Sequence, residues 1–590
     1  MLAKYICPVQ QRCWTKNFKN QNRNSMKKIT FSKIVAGAAI AAISISTAFA
    51  QSNLGSECGC PPVGSRTPVV LSSLGVNGFG ELLANQTLTC DKVYTLDQKI
   101  YVPSGITLTI MPGTVIKGAS AALPANATGL IIERGGKIMA DGTQACPIVF
   151  TSAADPMDGT YSLTNVGDWG GVVILGTATN NLTTANTYTG GANGVGFVEG
   201  FSAANPRDLY GAGDAAFPTN NDNDNSGILR YVSIRHAGAL IADANELNGL
   251  SLGSVGRGTT IEHLEIIASA DDNIEFFGGT VNVKYVTTLF GNDDMFDYDL
   301  GWKGKGQFLF GMAGDSITGL HTTDNGFEAD GDDNSKAPLL RSHPVFYNVT
   351  LIGNGHIMPS ADNSGAAAIM AKELTEGEIY NSIFANYRSG LHLATSRAAT
   401  TGDAYDNWTN TSNANNGGFP KAIQGSFIVK NNTFIGFGSN PVKAFYITTG
   451  ALTSGKNATI AYKAATAASA ADIAQFTTTD GNSVVASVPG IDYSWAWNSA
   501  AHTSYSGNSF HATPTSNITS SITPPADGFF STVNYRGAFD ANKGSWLSEW
   551  ALAQVLTSQQ SNPTDLNNDG ITNVTDYLIL VGKFGQTNSK

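Results

Sequence analysis

The acidic stretch DDNIEFF at residues 271–277 decides the fold, because it returns twice further along the chain. It returns as DDMFDYD at 293–299, an offset of 22 residues (293 − 271), and as DNGFEAD at 324–330, an offset of 31 residues (324 − 293). Each copy alternates apolar and polar residues after an acidic turn, and a period of two is typical of a β-strand. Repeats at such intervals predict a solenoid, in which each coil buries its apolar face against its neighbours.

Other alternating segments lie before, between and after these copies. They occur at 101–117, 130–140, 168–176, 230–235, 261–267, 283–289, 347–352, 379–384 and 429–434. We therefore predict an all-β protein whose bulk, residues 95–550, is a single-stranded right-handed parallel β-helix. Two low-complexity insertions, near 395–420 and 450–490, interrupt the repeats, and the second contains a predicted short helix at 464–474.

The composition excludes several classes of protein. Only 14% of the residues are charged and 42% are hydrophobic, which is too uncharged and too apolar for a disordered chain. The net charge of −11 argues against nucleic acid as a partner, because phosphate binding needs a basic surface. No segment after residue 50 reaches the roughly 18 apolar residues of a transmembrane helix.

The first 50 residues carry the pattern of an export signal. The basic start MKK at 26–28 precedes an apolar stretch at 34–45 and the small-residue motif AFA at 48–50. We predict cleavage before Gln51 and a true start at Met26. The mature protein is then expected to be secreted, either extracellular or on the outer cell surface.

Four cysteines follow the predicted cleavage site, namely Cys58, Cys60, Cys90 and Cys146. Their even number in an exported chain predicts two disulfides, anchored in an N-terminal segment at 51–94. Cys58 and Cys60 are too close to pair comfortably with each other, so each is expected to reach Cys90 or Cys146. A metal site is the weaker alternative, because no His or CxxC motif accompanies these cysteines.

The last segment, 551–590, contains a loop with the oxygen pattern of a calcium site. Side-chain oxygens at loop positions 1, 3, 5, 9 and 12 come from Asp565, Asn567, Asp569, Asn573 and Asp576. The carbonyl of Ile571 would supply position 7, and Gly570 at position 6 permits the tight turn. A helix is predicted at 577–584. These features predict Ca²⁺ as a cofactor.

A second segment, 222–233, has part of the same pattern. Asp222, Asp224 and Ser226 have the early loop spacing, Gly227 occupies the turn position, and Ser233 falls at position 12. This segment is the lesser candidate for a metal site.

Several of these stretches resemble a family of bacterial surface β-helix proteins with a pectin-lyase-like fold. The resemblance rests on 101–117, 168–176, SGILRYVSIRHAG at 226–238, the acidic repeats and FFSTVNYRGAF at 529–539. It implies a solenoid located outside the cell. The loop at 565–576 resembles one half of a dockerin, a module with two such loops. This likeness implies either a protein partner or a calcium-stiffened terminal cap or linker.

The acidic repeats also predict columns of carboxylates on the wall of the solenoid. If the apolar residues of each copy point inward, alternation points Glu275, Asp297 and Glu328 outward, with Asp299 and Asp330 in the next column. Adjacent coils lie about 4.8 Å apart, so stacked carboxylates repel each other unless they are protonated, bridged by a cation or well solvated. The turn before each strand adds a ladder of Asp271, Asp272, Asp293, Asp294 and Asp324. His392 could lie on the same face.

Three interpretations of these carboxylates remain open. They could cap turns and keep the solenoid soluble, form a calcium site or sugar-binding face, or belong to a polysaccharide-cleaving enzyme. The enzymatic candidates are Asp271, Asp272, Asp293, Asp294 and His356, because pectin hydrolases of this fold use clustered aspartates. Fold analogy alone does not establish function. We favour a non-enzymatic, calcium-stabilised surface or extracellular-matrix protein that acts in adhesion, binding polysaccharide, cell-surface glycan or other cells. A secreted polysaccharide lyase or glycoside hydrolase is the alternative.

Overall fold

A computed structural model describes residues 58–553, apart from 121–126, 159, 185–188, 243–244, 315–322, 332–339, 354–366, 373, 388, 396–407, 409–425, 437–444, 450–469, 492–511 and 549. Several predicted features therefore lie outside the described residues. They are the export signal, His356, most of the first insertion, residues 450–469 of the second insertion and the calcium loop at 565–576.

The described chain is built almost entirely from short strands, which we number in chain order. They are β1 (Thr67–Val70), β2 (Gln86–Leu88), β3 (Lys92–Leu96), β4 (Lys99–Val102), β5 (Thr107–Ile110), β6 (Val115–Gly118), β7 (Gly129–Ile132), β8 (Lys137–Asp141), β9 (Ile148–Ser152), β10 (Val172–Leu175), β11 (Val195–Phe197), β12 (Leu209–Gly211), β13 (Gly227–Arg235), β14 (Leu240–Ala242), β15 (Asn245–Glu246), β16 (Leu250–Gly253), β17 (Thr260–Ile267), β18 (Ile274–Phe277), β19 (Asn282–Leu289), β20 (Phe296–Asp299), β21 (Lys305–Met312), β22 (Phe327–Asp330), β23 (Val345–Ile352), β24 (Ala367–Lys372), β25 (Gly377–Tyr380), β26 (Ile383–Ala385), β27 (Ser389–Thr395), β28 (Phe427–Lys430), β29 (Thr433–Ile435), β30 (Phe445–Thr449) and β31 (Ser483–Val485).

Helical segments are short. An α-helix, α1 (Ala470–Ala474), continues into a π-helical turn at Gln475–Thr479, and 3₁₀ turns occur at Val63–Ser65, Leu71–Leu74 and Pro206–Asp208. The described part of the helix predicted at 464–474 is therefore helical. No helix among the described residues is long and apolar enough to span a membrane.

The strands form two large parallel sheets that wind into a β-helix. A ten-stranded sheet contains β4, β7, β10, β16, β18, β20, β22, β24, β27 and β30. In the 17-stranded sheet, β13 pairs through its first half with β8 and through its second half with β9. That sheet therefore bends at the middle of each long strand and supplies two faces of every coil. The predicted all-β parallel β-helix is confirmed.

The register confirms the repeat alignment made from the sequence. Ile274 pairs with Phe296, and Phe296 pairs with Phe327. All three side chains are at most 1% exposed and lie in the core that runs through the solenoid. The apolar positions of each repeat thus stack on one another, as a period of two requires.

The bend of the long strands is made by residues in the left-handed region. Tyr231, His263, Tyr285 and Phe308 have φ between 50° and 57°, which costs an L-residue about 1–2 kcal/mol. Their rings stack in sequence, with centroids 4.4, 4.5 and 4.9 Å apart. The contacts between these aromatic rings on neighbouring coils offset part of the backbone strain. Later coils place Asn at the same bend, a residue that tolerates this conformation.

The position of His263 within this stack predicts a pH-dependent stability. Burial, with help from Arg230 and Lys284, lowers the pKa of His263 from its ordinary 6.5 to about 4. Between these values the unfolded chain binds more protons, so the free energy of unfolding falls as the pH drops. We expect His263 to account for a loss of about 2 kcal/mol between about pH 7 and about pH 5.

Urea unfolding of the wild type and of His263→Phe at the two pH values measures this contribution. Phe is the matched substitution because Phe308 occupies the same bend two coils later. The free energy of unfolding of the variant should fall less between the two pH values than that of the wild type. An equal fall in both proteins would contradict a role for His263.

Two disulfides tie the N-terminal residues to the first coils. Cys58 pairs with Cys146, and Cys60 pairs with Cys90. The prediction of two disulfides is confirmed, and the choice between partners is resolved. The alternative of a metal site at these cysteines is wrong, because all four sulfurs are in covalent bonds.

Residues 512–553, here called the C-terminal strap, lie along the outside of the bend and add no strand to either large sheet in the part described. Asn381 donates to the carbonyl of Ile522 at 2.8 Å, and Trp550 packs edge-on against Tyr231 with ring centroids 5.6 Å apart. Further on, the amide of Ala553 donates to Glu265 at 2.6 Å. The strap therefore returns from late coils to early ones, although the sequence predicted repeats up to residue 550.

An insertion at 176–248, interrupted by β13, covers the outer face of the early part of the ten-stranded sheet. It contains the antiparallel hairpins β11–β12 and β14–β15. Leu182, Val198 and Tyr210 pack with Val173 and Phe277 of the sheet. This cover changes the environment of the acidic repeats that follow.

The lesser metal candidate at 222–233 is wrong in its geometry. Gly227 begins the nine-residue strand β13, so Ser233 is carried away from the turn and bonds Glu265 instead. Asp224 accepts hydrogen bonds from Thr177 and Ser226 and caps the local chain. An extended strand cannot curl around an ion as a calcium loop does.

Candidate functional site

The outward column predicted from the repeats lies in register on the ten-stranded sheet. Ser251 pairs with Glu275, Glu275 with Asp297, and Asp297 with Glu328. The column continues through Met370 to His392, so His392 lies where the sequence suggested. In the next column Phe277 pairs with Asp299, and Asp330 pairs with Lys372.

The column is divided by its surroundings into a buried part and a half-exposed part. Glu275 and Asp297 are each only 9% exposed, although both leave the strand on its outer side. Asn248, from the insertion, donates to Glu275 at 2.5 Å. Lys372 forms ion pairs with Glu328 at 2.6 Å and with Asp330 at 3.3 Å. Of the residues predicted to face a ligand, Asp299, Glu328 and Asp330 are partly exposed, whereas Glu275 and Asp297 are buried.

The turns before the strands form an inner row of hydrogen bonds between coils. Asp272 accepts the backbone amide of Asp294 at 2.8 Å, and Asp294 accepts the amide of Asn325. Asn325 in turn accepts the amide of Ala367 at 3.1 Å. Asp272, Asp294 and Asn325 thus link four successive coils. Asn325 was not among the predicted site residues, although the alignment of DD with DN identifies its place.

The aspartates that precede the inner row form an outer row. Asp271 and Asp324 are partly exposed, and Asp293 is exposed. Their position at a turn, outside the sheet pairing, leaves these carboxylates at the solvent boundary. We refer to Asp271, Asp293, Asp324, Glu328 and Asp330 together as the acidic face.

Carboxylate oxygens of the two rows and the column converge in three overlapping groups. Within each group the oxygens lie within 4.8 Å of one another. The groups are Asp271, Asp272 and Asp293, then Asp272, Glu275 and Asp297, and finally Asp293, Asp294 and Asp324. The structure therefore brings together all four described catalytic candidates. Asp299, Glu328 and Asp330 belong to none of the three groups.

The buried carboxyls of this cluster resist ionisation. Burial, and then the charge of a neighbouring carboxylate, raises the pKa of Asp272, Glu275, Asp294 and Asp297 well above the usual range. For each of these carboxyls one neighbouring charge raises the pKa most. That neighbour is Asp297 for Asp272, Glu199 for Glu275, Glu328 for Asp294 and Glu275 for Asp297. Such groups are stable when they hold protons or share a cation.

Two participants had no signal in the repeats. Asn248 belongs to the insertion, and Lys372 ends β24 in a segment without an acidic turn. Only the folded chain brings them to the cluster. A pairing of Asp330 with Lys372 becomes visible once the register of β22 and β24 is known.

Fold and site together define a parallel β-helix protein with an acidic cluster on its wall. Residues 80–417 match the family model of the pectate-lyase like beta helix domain. Since this match covers more than half of the chain, the protein belongs to that family. No curated protein and no solved structure is significantly similar to the chain.

Proposed function

We propose that this protein is an exported β-helix protein that binds polysaccharide or cell-surface glycan at its acidic face without cleaving it. The acidic face carries this proposal, since its partly exposed carboxylates span three consecutive coils in register. Carboxylates accept strong hydrogen bonds, and sugar hydroxyls are donors. Membership of the pectate-lyase-like family supports a polysaccharide ligand. The disulfides and the N-terminal sequence pattern support an extracellular location.

Binding agrees with the burial of the inner row better than catalysis does. Asp272 and Asp294 are 6% and 2% exposed, and each uses one oxygen to bind the next coil. A general acid or base must come within hydrogen-bond reach of its substrate. The exposed groups are instead those of the outer row, which suit contact with a chain of sugars.

Binding assays on immobilised and soluble polysaccharides test the proposal. The double variant Asp293→Asn, Glu328→Gln removes two charges from the acidic face and should weaken binding about tenfold or more, because hydrogen bonds to charged groups contribute about 1.5–3 kcal/mol each. Glu262→Gln is the matched control, since Glu262 lies on the bent sheet with 34% side-chain exposure. Equal losses in both proteins would contradict a site at the acidic face.

A polysaccharide-cleaving activity is the second candidate. It is favoured by the raised pKa of Asp294 beside Asp293 and Asp324, since a protonated carboxyl near other carboxylates can act as a general acid. Assays for reducing ends and unsaturated products test it. Turnover that disappears in Asp272→Asn and Asp294→Asn would overturn the binding-only function. Absence of turnover across substrates that bind would support binding.

We also propose that the loop at 565–576 binds Ca²⁺ and offers a docking site for a protein partner. Its support is the spacing of five oxygen-bearing side chains and one glycine. In the full chain, Asp565→Asn with Asp569→Asn should remove one bound calcium per molecule. Unchanged stoichiometry would contradict this site.

A further inference from the structure

We propose that Asp272, Glu275 and Asp297 form a buried site for a structural divalent cation, with Ca²⁺ as the best match. Oxygens from all three side chains lie within 4.8 Å of one another. This site is separate from the loop at 565–576 and does not depend on glycan binding. Two of its residues, Glu275 and Asp297, belong to the part of the column that is buried.

An oxygen without a hydrogen-bond partner points to the ligand. Asp297 is 9% exposed, and its Oδ1 is buried with no hydrogen-bond partner. Among the described residues, none of the three carboxylates forms an ion pair with Lys, Arg or His. A buried carboxylate oxygen without a partner costs several kcal/mol, so the fold leaves an interaction to be supplied.

A second buried oxygen without a hydrogen-bond partner belongs to Asn248, which contacts Glu275. The Asn248 amide nitrogen donates to Glu275 at 2.5 Å, while the Asn248 Oδ1 is buried without a hydrogen-bond partner. A neutral carbonyl-type oxygen beside carboxylates completes the kind of ligand set that hard cations select. Ca²⁺ accepts about six to eight oxygens, from carboxylates, amide oxygens and water, in a flexible geometry.

The burial of the site limits what can occupy it. Asp272, Glu275 and Asp297 are 6%, 9% and 9% exposed, so a polysaccharide cannot contact all three. Asp272 and Glu275 belong to one coil and Asp297 to the next, where Glu275 and Asp297 are paired in register. A cation here would join two coils and, through Asn248, the insertion. Its role is therefore structural, whereas the acidic face remains open to glycan.

Thermal unfolding of the full chain tests the site. All proteins carry Asp565→Asn and Asp569→Asn, which silence the C-terminal loop, and are stripped with a chelator before Ca²⁺ is titrated. The parent should bind one Ca²⁺ and melt at a higher temperature when it is present. Asp297→Asn should lose that calcium and its temperature shift, because the isosteric amide removes the charge.

The direction in which the melting temperature changes in the absence of calcium is a second criterion. In chelator, Asp297→Asn should melt at or above the temperature of its parent, because the neutral amide removes one of the mutually repelling buried carboxyls. Glu275→Gln should likewise lose calcium binding, whereas Glu262→Gln, on the bent sheet and paired with Arg230, should keep it. The proposal fails if the parent binds no Ca²⁺, or if Asp297→Asn retains both the bound ion and the temperature shift.

Discussion

Replacing Trp302 with Ala is expected to lower the free energy of unfolding by about 3–5 kcal/mol. Trp302 is fully buried and stacks on Phe276 with ring centroids 3.9 Å apart. Its indole nitrogen donates to the carbonyl of Val281 at 3.2 Å. The substitution therefore removes a large apolar side chain and leaves a carbonyl without its donor. The cavity left by the missing indole lies between coils that carry the acidic repeats.

Urea unfolding followed by circular dichroism measures this effect. Phe79→Ala is the control, since Phe79 is 68% exposed, and its cost should stay below about 1 kcal/mol. A loss of similar size in both variants would contradict a core role for Trp302. Phe276 also neighbours Glu275 in β18, so calcium binding by Trp302→Ala reports whether core packing positions the buried carboxylates.

The second large effect is expected at the C-terminal strap. Trp550→Ala should cost about 3–5 kcal/mol, because Trp550 is fully buried against the outside of the bend. Its ring lies 5.6 Å from that of Tyr231 and 6.1 Å from that of His263, and its nitrogen donates to the carbonyl of Trp546 at 2.7 Å. Truncation exposes the aromatic stack beneath it.

Denaturant unfolding combined with limited proteolysis measures this effect. Cleavage within 512–553 should accelerate in Trp550→Ala. Lys543→Ala is the control within the strap, since the Lys543 side chain is 75% exposed, and it should behave like the wild type. Wild-type stability in Trp550→Ala would show that the strap contributes little to the fold.

The fold could be predicted because the repeats expose their register directly. Three acidic copies align Ile274, Phe296 and Phe327, and the structure pairs these residues in the same order. The two disulfides also followed from the number of cysteines and their context. The bend could not be predicted, since Tyr231, His263 and Tyr285 share a positive φ but no residue type that favours it.

The candidate site could be predicted only in part, for a related reason. Alternation gives the direction in which Glu275 and Asp297 leave their strands, but not what covers them. Asn248 reaches Glu275 across 27 residues, and Glu199 affects its pKa from still further away in the sequence. Burial therefore comes from an insertion that lies outside the repeat pattern. The same limit applies to Lys372, whose ion pair with Glu328 joins paired strands of adjacent coils across 44 residues of sequence (372 − 328).

The C-terminal strap has a consequence for the order in which the molecule can be completed. Gln144 bonds the carbonyl of Ser548 across 404 residues, and Glu265 bonds Ala553 across 288. A chain that is still being synthesised, or that has lost its end, leaves the aromatic stack open to water. Contacts of such long range form late, because the intervening loop must close first. The strap can therefore cover the aromatic stack only after residues 512–553 have been synthesised, which makes this contact one of the last to form.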